Sequence, residues 1–435
     1  MLNFLRKISP RFLKTTYHWL LAVLAPMVYF YPSNKLIVIG VTGTNGKTAT
    51  VNLIAQLLES LGEKVALSST VNFKLAGKEW LNDKKMTMLG RLSTQKLLNQ
   101  AVKEKCSYAV IETSSQGIEQ FRHLGINYDL VVFTNLTPEH IEAHGGFENY
   151  RAAKEKLFQH LSQSKHKNIA GQKINKIIIS NADDLETERL KKYPADKFLT
   201  YALENQADYK IENLNLSNGL VNFDLENINF KTNFLGKFNA YNILSAISAV
   251  NALGFSLEKI KTVTLKGVPG RQEFIDPPAG GQKNFKVMID YAPEPEGLKQ
   301  LYQALKNLNY NKLIHVLGSC GGGRDKARQP VLGQMAGEFA DIVVVTNEDP
   351  YDDDPQEIID NVSGGAIKAG KEPLVSLYAI LDRKSAIHKA LSLAESNDLV
   401  LITGKGAEQF ICTKNGTKIP HDDRQVVKEY FKNNH

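Results

Sequence analysis

The first chemical signal in the chain is Gly40-Val-Thr-Gly-Thr-Asn-Gly-Lys-Thr48. Glycines such as Gly43 and Gly46 let the backbone turn tightly and aim its N–H groups, including those of Thr44 and Asn45, at a phosphate chain. Lys47 can reach the β- and γ-phosphates of a nucleotide, and the Thr48 hydroxyl can ligate Mg2+. A second set of polar groups stands at the ends of apolar runs. Ser107-Tyr-Ala-Val-Ile111 delivers Glu112-Thr-Ser-Ser115, and Tyr128-Asp-Leu-Val-Val-Phe-Thr-Asn135 leads to Thr137-Pro-Glu-His140. Taken alone, Glu112 reads as a solvated carboxylate and His140 as a hydrogen-bonded structural histidine. At adjacent strand ends beside a phosphate loop, the two read as metal ligands.

The elements that must position these groups are legible in the pattern. The loop follows Leu36-Ile-Val-Ile39 and precedes an amphipathic stretch from Ala49 to Leu61. That order is strand, turn, helix, with the positive end of the helix dipole facing the same phosphates. Lys64-Val-Ala-Leu-Ser68 and Lys176-Ile-Ile-Ile-Ser180 read as further strands, and Gln95 to Lys103 and Tyr150 to Ser162 as helices. The alternation predicts an α/β fold: a P-loop parallel sheet with helices on both faces. Residues from about Tyr209 to Phe234 read instead as a small antiparallel element. Gly236-Lys-Phe-Asn-Ala-Tyr-Asn242 then opens a helix, Ile243 to Leu253.

A boundary falls near Gly267-Val-Pro-Gly-Arg271, and beyond it the α/β pattern restarts. Phe285–Asp290, Lys312–Leu317, Asp341–Thr346 and Asp398–Thr403 are its strands, and the expectation is a Rossmann-like unit without a phosphate loop. The chain therefore divides into a basic and apolar segment (1–35), a central ATP-binding domain (36–269) and a C-terminal α/β domain (270–435). Its 435 residues exceed one ordinary core, and a hydrophobic share of 43% is that of a soluble globular protein.

Cys106, Cys320 and Cys412 are widely separated, suggest neither a zinc site nor a disulfide framework, and fit a reducing cytosol. The net charge of +7 is partly local, since Arg6, Lys7, Arg11 and Lys14 precede the first acidic residue, Glu59. No basic run is interleaved with aromatics in the manner of a nucleic-acid module, so no nucleic-acid partner is expected. Trp19 to Phe30 is apolar but shorter than the roughly 20 residues that span a bilayer, and Pro26 interrupts it. An interfacial anchor making peripheral membrane contact through residues 1–34 is one reading. A helix packed on the protein's own surface is the other.

In this order the motifs resemble the Mur ligase family, ATP-dependent amide ligases of peptidoglycan precursor synthesis. Thr42-Gly-Thr-Asn-Gly-Lys-Thr48 is similar to the family's ATP loop, Glu112-Thr-Ser-Ser115 to its E-x-S-S element, and Phe133 to Gly145 to its T-N-L-x-x-D-H-L-D-x-H-G element. Tyr150-Arg-Ala-Ala-Lys154, Gly270-Arg271, Asp290-Tyr-Ala292, Gly323-Arg-Asp-Lys326 and Gly404-Lys-Gly-Ala-Glu408 continue the series. The later motifs resemble the MurE-like branch, which adds the third residue of the stem peptide.

The resemblance implies a reaction in which ATP phosphorylates a carboxylate and an amine attacks the acyl phosphate, with ATP and Mg2+ required. It implies that Glu112 and His140 hold a second Mg2+, and that Lys154 is carbamoylated into a metal partner; alone, Lys154 would be an ordinary surface lysine. It places Asn239 near the adenine, although Asn239 and Asn242 also read as helix caps. Arg271 would reach the γ-phosphate on domain closure, with Asp290 beside it; the plain alternative is an interdomain ion pair. Thr87, Ser114 and Arg122 would contact a muropeptide-type acceptor. Arg324, Glu348, Asp349, Gly404 and Glu408 would hold a free amino acid. Asp352-Asp-Asp354 reads as a solvated loop.

The chain departs from that pattern in several places. Only about 35 residues precede the ATP strand, so the family's usual uridine-nucleotide domain is expected to be missing. Glu139 replaces an aspartate, and Pro293 and Ala407 replace histidines. The element that reads Asp-Asn-Pro-Arg in diaminopimelate-adding enzymes stands here as Glu348-Asp-Pro-Tyr351. Tyr351 cannot form an arginine fork on a second carboxylate, which disfavours diaminopimelate and leaves lysine or another amino acid open. Two other functions compete: a MurT-like amidating ligase on lipid-linked muropeptide, and a membrane-associated ATP-binding scaffold without ligase activity. Oligomeric state is not legible in the sequence.

Overall fold

The computed structural model describes residues 11–137, 144–217, 219–278 and 284–434. Its chain forms two compact units. The first comprises Met1–Asn215, Asn222–Thr232 and Phe238–Leu265; the second comprises Leu216–Val221, Asn233–Lys237 and Lys266–His435.

In the first unit, α1 (Arg11–Val28) precedes β1 (Ile37–Thr42) and α2 (Lys47–Ser60). β2 (Val65–Ser68), β3 (Asn72–Leu75), β4 (Lys78–Leu81), α3 (Arg91–Lys103), β5 (Tyr108–Glu112), α4 (Ser115–Glu119) and β6 (Leu130–Phe133) follow. α5 (Phe147–Gln163), β7 (Lys167–Ile169), β8 (Gln172–Ile174), β9 (Ile177–Asn181), α6 (Glu186–Leu190), β10 (Lys197–Ala202) and β11 (Tyr209–Lys210) come next. β12 (Glu212–Asn215), β13 (Val221–Leu225), β14 (Ile228–Thr232), α7 (Lys237–Ala252) and α8 (Leu257–Lys261) end the series.

The main sheet has nine strands in the order β11-β10-β9-β6-β1-β5-β2-β3-β4. β1 lies between β5 and β6, both parallel to it, so the phosphate loop opens at the carboxyl edge where the chain passes to opposite sides. The apolar runs of β1, β5, β6 and β9 are continuous because helices cover both faces of those strands. Val38, Val110, Val131 and Ile178 are fully buried.

The expectation of a parallel sheet needs correcting at one edge. β3 and β4 form a hairpin that pairs antiparallel with β2. β3 is buried from Asn72 to Lys74 and the outer strand β4 is exposed from Lys78 to Trp80, so neither four-residue run carries an alternation that could be read. At the other edge Tyr209 joins the main sheet in parallel, rather than the small antiparallel element, which is β12-β13-β14. α1 packs on α3 and buries Ala22 and Ala25. Among the described residues no helix is long and apolar enough to cross a membrane.

The second unit contains β15 (Glu273–Ile275), β16 (Lys286–Ile289), α9 (Pro295–Leu305), β17 (Leu313–Leu317), α10 (Arg328–Phe339), β18 (Ile342–Thr346) and α11 (Pro355–Lys368). β19 (Leu377–Ile380), α12 (Arg383–Leu393), β20 (Leu399–Ile402), β21 (Phe410–Cys412), β22 (Lys418–Pro420) and α13 (Asp423–Asn434) complete it. Its six-stranded sheet runs β15-β16-β20-β17-β18-β19, parallel except for β15. β19 escaped the sequence reading because its four residues alternate weakly at a sheet edge.

Candidate active site

The phosphate loop takes a shape that only glycine permits at two points. Gly43 has φ +149°, and a Cβ there would lie 1.9 Å from Thr134 Oγ1; Gly46 has φ +84°, and a Cβ there would lie 2.3 Å from Asn242 Oδ1. The loop is fixed from the β6 end. Asn135 Oδ1 accepts from Asn45 N (2.9 Å), and Thr134 Oγ1 donates to Asn45 O (2.7 Å). Tyr150 OH lies 3.0 Å from Thr44 Oγ1. Gly46 heads α2 with no side-chain cap, which leaves the helix's positive end turned to the loop. Lys47 Nζ donates to Thr44 O (2.7 Å), folded back along the loop it would leave to meet phosphates.

Glu112 ends β5 with 1% exposure. Its Oε1 accepts from Thr48 Oγ1 (3.0 Å) and Thr70 Oγ1 (2.9 Å), and its Oε2 from Thr70 N (2.7 Å). A buried carboxylate flanked by two hydroxyls is a hard-oxygen set, and it fits Mg2+. Among the described residues no cluster of three His, Cys, Asp or Glu could hold a metal. His140 and Glu139 lie outside the described residues. Lys154 is buried on α5, donates to Gly43 O (2.6 Å) and sits 4.5 Å from the centre of the Tyr150 ring. The helix packs this lysine under the loop, so it is no surface residue; as an ammonium it is a donor and not a metal ligand.

Asn239 and Asn242 are not caps. Both lie buried inside α7, where Asn242 Nδ2 donates to Asn239 Oδ1 (3.1 Å), and Thr50 Oγ1 meets Ser245 Oγ at 3.1 Å. Ser114 caps α4 by accepting from Gly117 N (3.2 Å). Arg122 is half-buried rather than a free solvated charge, and its Nε and Nη2 donate to Gln120 Oε1 at 3.1 and 2.6 Å. Thr87 is half-exposed on the segment that leads to α3.

In the second unit the strand ends of β17, β18 and β20 gather a dense polar cluster. Glu348 is buried; its Oε1 accepts from the Cys320 thiol (2.7 Å), while Oε2 has no hydrogen-bond partner. Burial pushes its carboxyl above the usual range. Asp349 Oδ1 accepts from Lys405 Nζ (2.9 Å) and Cys412 N (2.7 Å), and Lys405 also donates to Glu408 Oε2 (2.6 Å). Gly404 has φ +104°, and a Cβ there would lie 2.3 Å from Glu348 Oε2.

Arg324 Nη1 donates to Glu294 Oε1 (3.3 Å). Arg271 lies over the Tyr291 ring, 4.4 Å from its centre. Asp290 accepts from Gln272 N (2.7 Å) and Ala292 N (3.0 Å); burial raises its pKa, against the Arg271 charge and these amides. The acidic run is not merely solvated. Asp352, Asp353 and Asp354 accept from Asn415 N, Gly322 N and Gln356 N, the last as the cap of α11.

Residues 41–250 match the model of the Mur ligase middle domain, and residues 270–406 that of the Mur ligase glutamate ligase domain. The chain is 35% identical over 416 residues to the UDP-N-acetylmuramoyl-L-alanyl-D-glutamate–2,6-diaminopimelate ligase of Bacillus cereus, covering 94% of this chain and 81% of that one. The chain belongs to the Mur ligase family. A solved structure of a ligase of the same description is 31% identical, with a TM-score of 0.61, over 92% of this chain and 78% of that one. The MurF ligase from Thermotoga maritima, solved in complex with ADP, shares the fold at 18% identity, with a TM-score of 0.63, over 95% of this chain and 83% of that one. The family's members are ATP-dependent amide ligases, and the α/β architecture expected from the motifs is the one observed.

Several groups around these sites escaped the sequence reading. Thr70 carries no motif, and only the fold brings it to Glu112. Cys320 read as a lone cysteine. Lys405 stood inside the quoted Gly404-Lys-Gly-Ala-Glu408 element, whose invitation to a buried cation was the one available signal. Arg383, fully buried on α12, binds Asp423 through Nε (2.8 Å) and Nη2 (2.7 Å) and donates to Thr403 O (2.8 Å), tying the end of β20 in place.

Proposed function

We propose that this chain joins a free amino acid to the carboxylate of a muropeptide-type acceptor, in the cytosol, through an acyl phosphate formed from ATP. A carboxylate oxygen of the acceptor attacks the γ-phosphorus, and ADP leaves. The amine then attacks the acyl carbon, phosphate leaves with the bonding pair, and the amine's surplus proton passes to solvent. The loop amides from Gly43 to Thr48 and the Lys47 ammonium hold the phosphates and neutralise their charge. Thr48 and Glu112 would hold one Mg2+, and Glu112 and His140, with a carbamoylated Lys154 as metal partner, a second; when bound, the ions offset charge on the transferring phosphoryl group. Asn239 orients the adenine, and Arg271 and Asp290 assist at the γ-phosphate. Thr87, Ser114 and Arg122 contact the acceptor; Arg324, Glu348, Asp349, Gly404 and Glu408 contact the incoming amino acid.

The observation that carries this reading is the buried Glu112 carboxylate beside Thr48 at the mouth of the phosphate loop. The test is phosphate release on mixing ATP, acceptor and an amino acid. Release should need all three and should vanish in Lys47→Ala. Unchanged turnover in that variant refutes the reading. Tyr351 in place of a guanidinium disfavours diaminopimelate and leaves lysine or another amino acid open, although the Bacillus cereus relative is a 2,6-diaminopimelate ligase.

A finer part of the proposal concerns α1. Tyr17, Trp19, Leu20, Leu24, Met27 and Val28 project from it with 45–62% exposure, opposite the buried Ala22 and Ala25. With four basic residues in the first fourteen and no acid before Glu59, this face suits an anionic lipid surface. Flotation with vesicles containing anionic lipid should recover the wild type and lose the Trp19→Glu, Leu24→Glu double variant. Equal recovery of the two counts against membrane contact.

A further inference from the structure

Arg91 and Arg122 meet on a single residue. Arg91 Nη2 donates to the carbonyl of Gln120, while Arg122 donates from Nε (3.1 Å) and Nη2 (2.6 Å) to the Gln120 side-chain oxygen. Arg122 Nη1 donates to the carbonyl of Met88. Every one of these acceptors is neutral, and among the described residues neither guanidinium has a carboxylate partner. Packing explains how they come together. A Cβ on Gly117 would lie 2.6 Å from Met88 Sδ and 3.1 Å from Ser114 Oγ, so the Thr87–Gly90 segment presses directly on α4.

Two like charges held together without an acid are unfavourable unless something compensates them. Burial, and then the charge of Arg122, lower the Arg91 pKa to about 10; burial lowers that of Arg122. Arg91 Nε is buried and has no hydrogen-bond partner. Both side chains are nevertheless only half-buried, as are Thr87, Ser114 and Gln120 around them. Two uncompensated charges on half-buried side chains are what an arriving oxyanion would satisfy.

We propose that Arg91 joins Arg122 in a paired-guanidinium site that takes an oxyanion group, carboxylate or phosphate, of the acceptor substrate. The site rests on the ligase reading for the identity of its ligand. Nothing in the family resemblance assigns Arg91. Arg122 is pre-set by Gln120 and Met88, and Arg91 doubles the positive charge that the acceptor meets.

Calorimetric titration of the full chain, without ATP, tests this. The probes are UDP-N-acetylmuramoyl-L-alanyl-D-glutamate and N-acetylmuramoyl-L-alanyl-D-glutamate, which lacks the phosphates. Arg91→Gln should weaken binding of at least one probe tenfold or more. Arg91→Lys should recover part of that loss, and ATP affinity should stay within twofold. Equal losses on both probes assign a carboxylate, and a loss confined to the first assigns a phosphate; either supports the site.

The proposal is overturned if Arg91→Gln binds both probes within twofold of wild type, if wild type binds neither, or if ATP affinity falls in step. The last result would mean that Arg91 only braces the local fold. If binding depends on Arg91 but no phosphate appears on adding ATP and amino acids, the ligase reading fails and the anion site stands.

Discussion

Replacing Glu112 by glutamine changes one atom and removes one charge from the centre of the nucleotide-binding unit. The side chain is 1% exposed, and its two oxygens accept three hydrogen bonds. The Thr70 N–H cannot reverse its role, so the glutamine oxygen must face it. The NH2 group then faces the Thr48 and Thr70 hydroxyls, which can rotate to accept. All groups stay bonded, and what is lost is the charge assistance, about 1.5–3 kcal/mol for a bond to an ionised group. Part of that returns because a buried charge no longer needs solvating.

Stability should therefore fall by only about 1–2 kcal/mol, or roughly 2–8 °C in the unfolding midpoint. On the proposed mechanism, in which the carboxylate helps to offset phosphate charge, turnover should fall far more, by at least ~100-fold. The Mg2+ concentration for half-maximal phosphate release should rise at least ~10-fold. Calorimetric unfolding and a phosphate-release assay across Mg2+ concentrations measure the three quantities. If Glu112→Gln kept turnover within threefold at unchanged Mg2+ dependence, Glu112 would be a structural acceptor for Thr48 and Thr70 only.

Gly46→Ala forces a left-handed conformation on an L-residue at about 1–2 kcal/mol and drives its methyl into Asn242, so the ATP concentration for half-maximal rate should rise at least ~10-fold in the same assay. His315 is fully buried between Tyr302 OH (2.7 Å) and Thr403 Oγ1 (2.9 Å), and burial pulls its pKa down to about 3. The unfolded chain binds the extra proton below pH 6.5, so this group removes about 2 kcal/mol of stability between pH 7 and pH 5, and His315→Gln should flatten that slope in denaturant melts. Tyr351 already has φ +53°, so Tyr351→Arg adds no new backbone strain; competition between lysine and diaminopimelate in the product should shift at least ~10-fold toward diaminopimelate, and an unchanged ratio removes Tyr351 from the specificity argument.

Much of the nucleotide site was legible because it is local. Gly43, Gly46, Lys47 and Thr48 lie within six residues, and strand, loop and helix follow one another without interruption. Glu112 was legible as a polar residue ending an apolar run. Its partner Thr70 was not, because it comes from a turn 42 residues away. The β3–β4 hairpin was missed for a related reason: its strands are four residues each and half-polar, and the outer one is exposed, so they carry little apolar signal. The burial of Lys154 was not legible either. Its own helix suggests a surface position, and only docking of α5 beneath the loop buries it.

The order of apolar runs and turns was enough to determine the α/β class, the phosphate loop and the family, since each depends on spacing along the chain. Tertiary structure decided which groups share charge and hydrogen bonds: Thr70 with Glu112, Lys405 with Asp349, Arg383 with Asp423, and Arg91 with Arg122 on Gln120. Such pairings arise between residues far apart in the chain, where burial removes water and makes each unmatched charge costly. No spacing rule encodes them; they exist only once the sheet and its helices have packed.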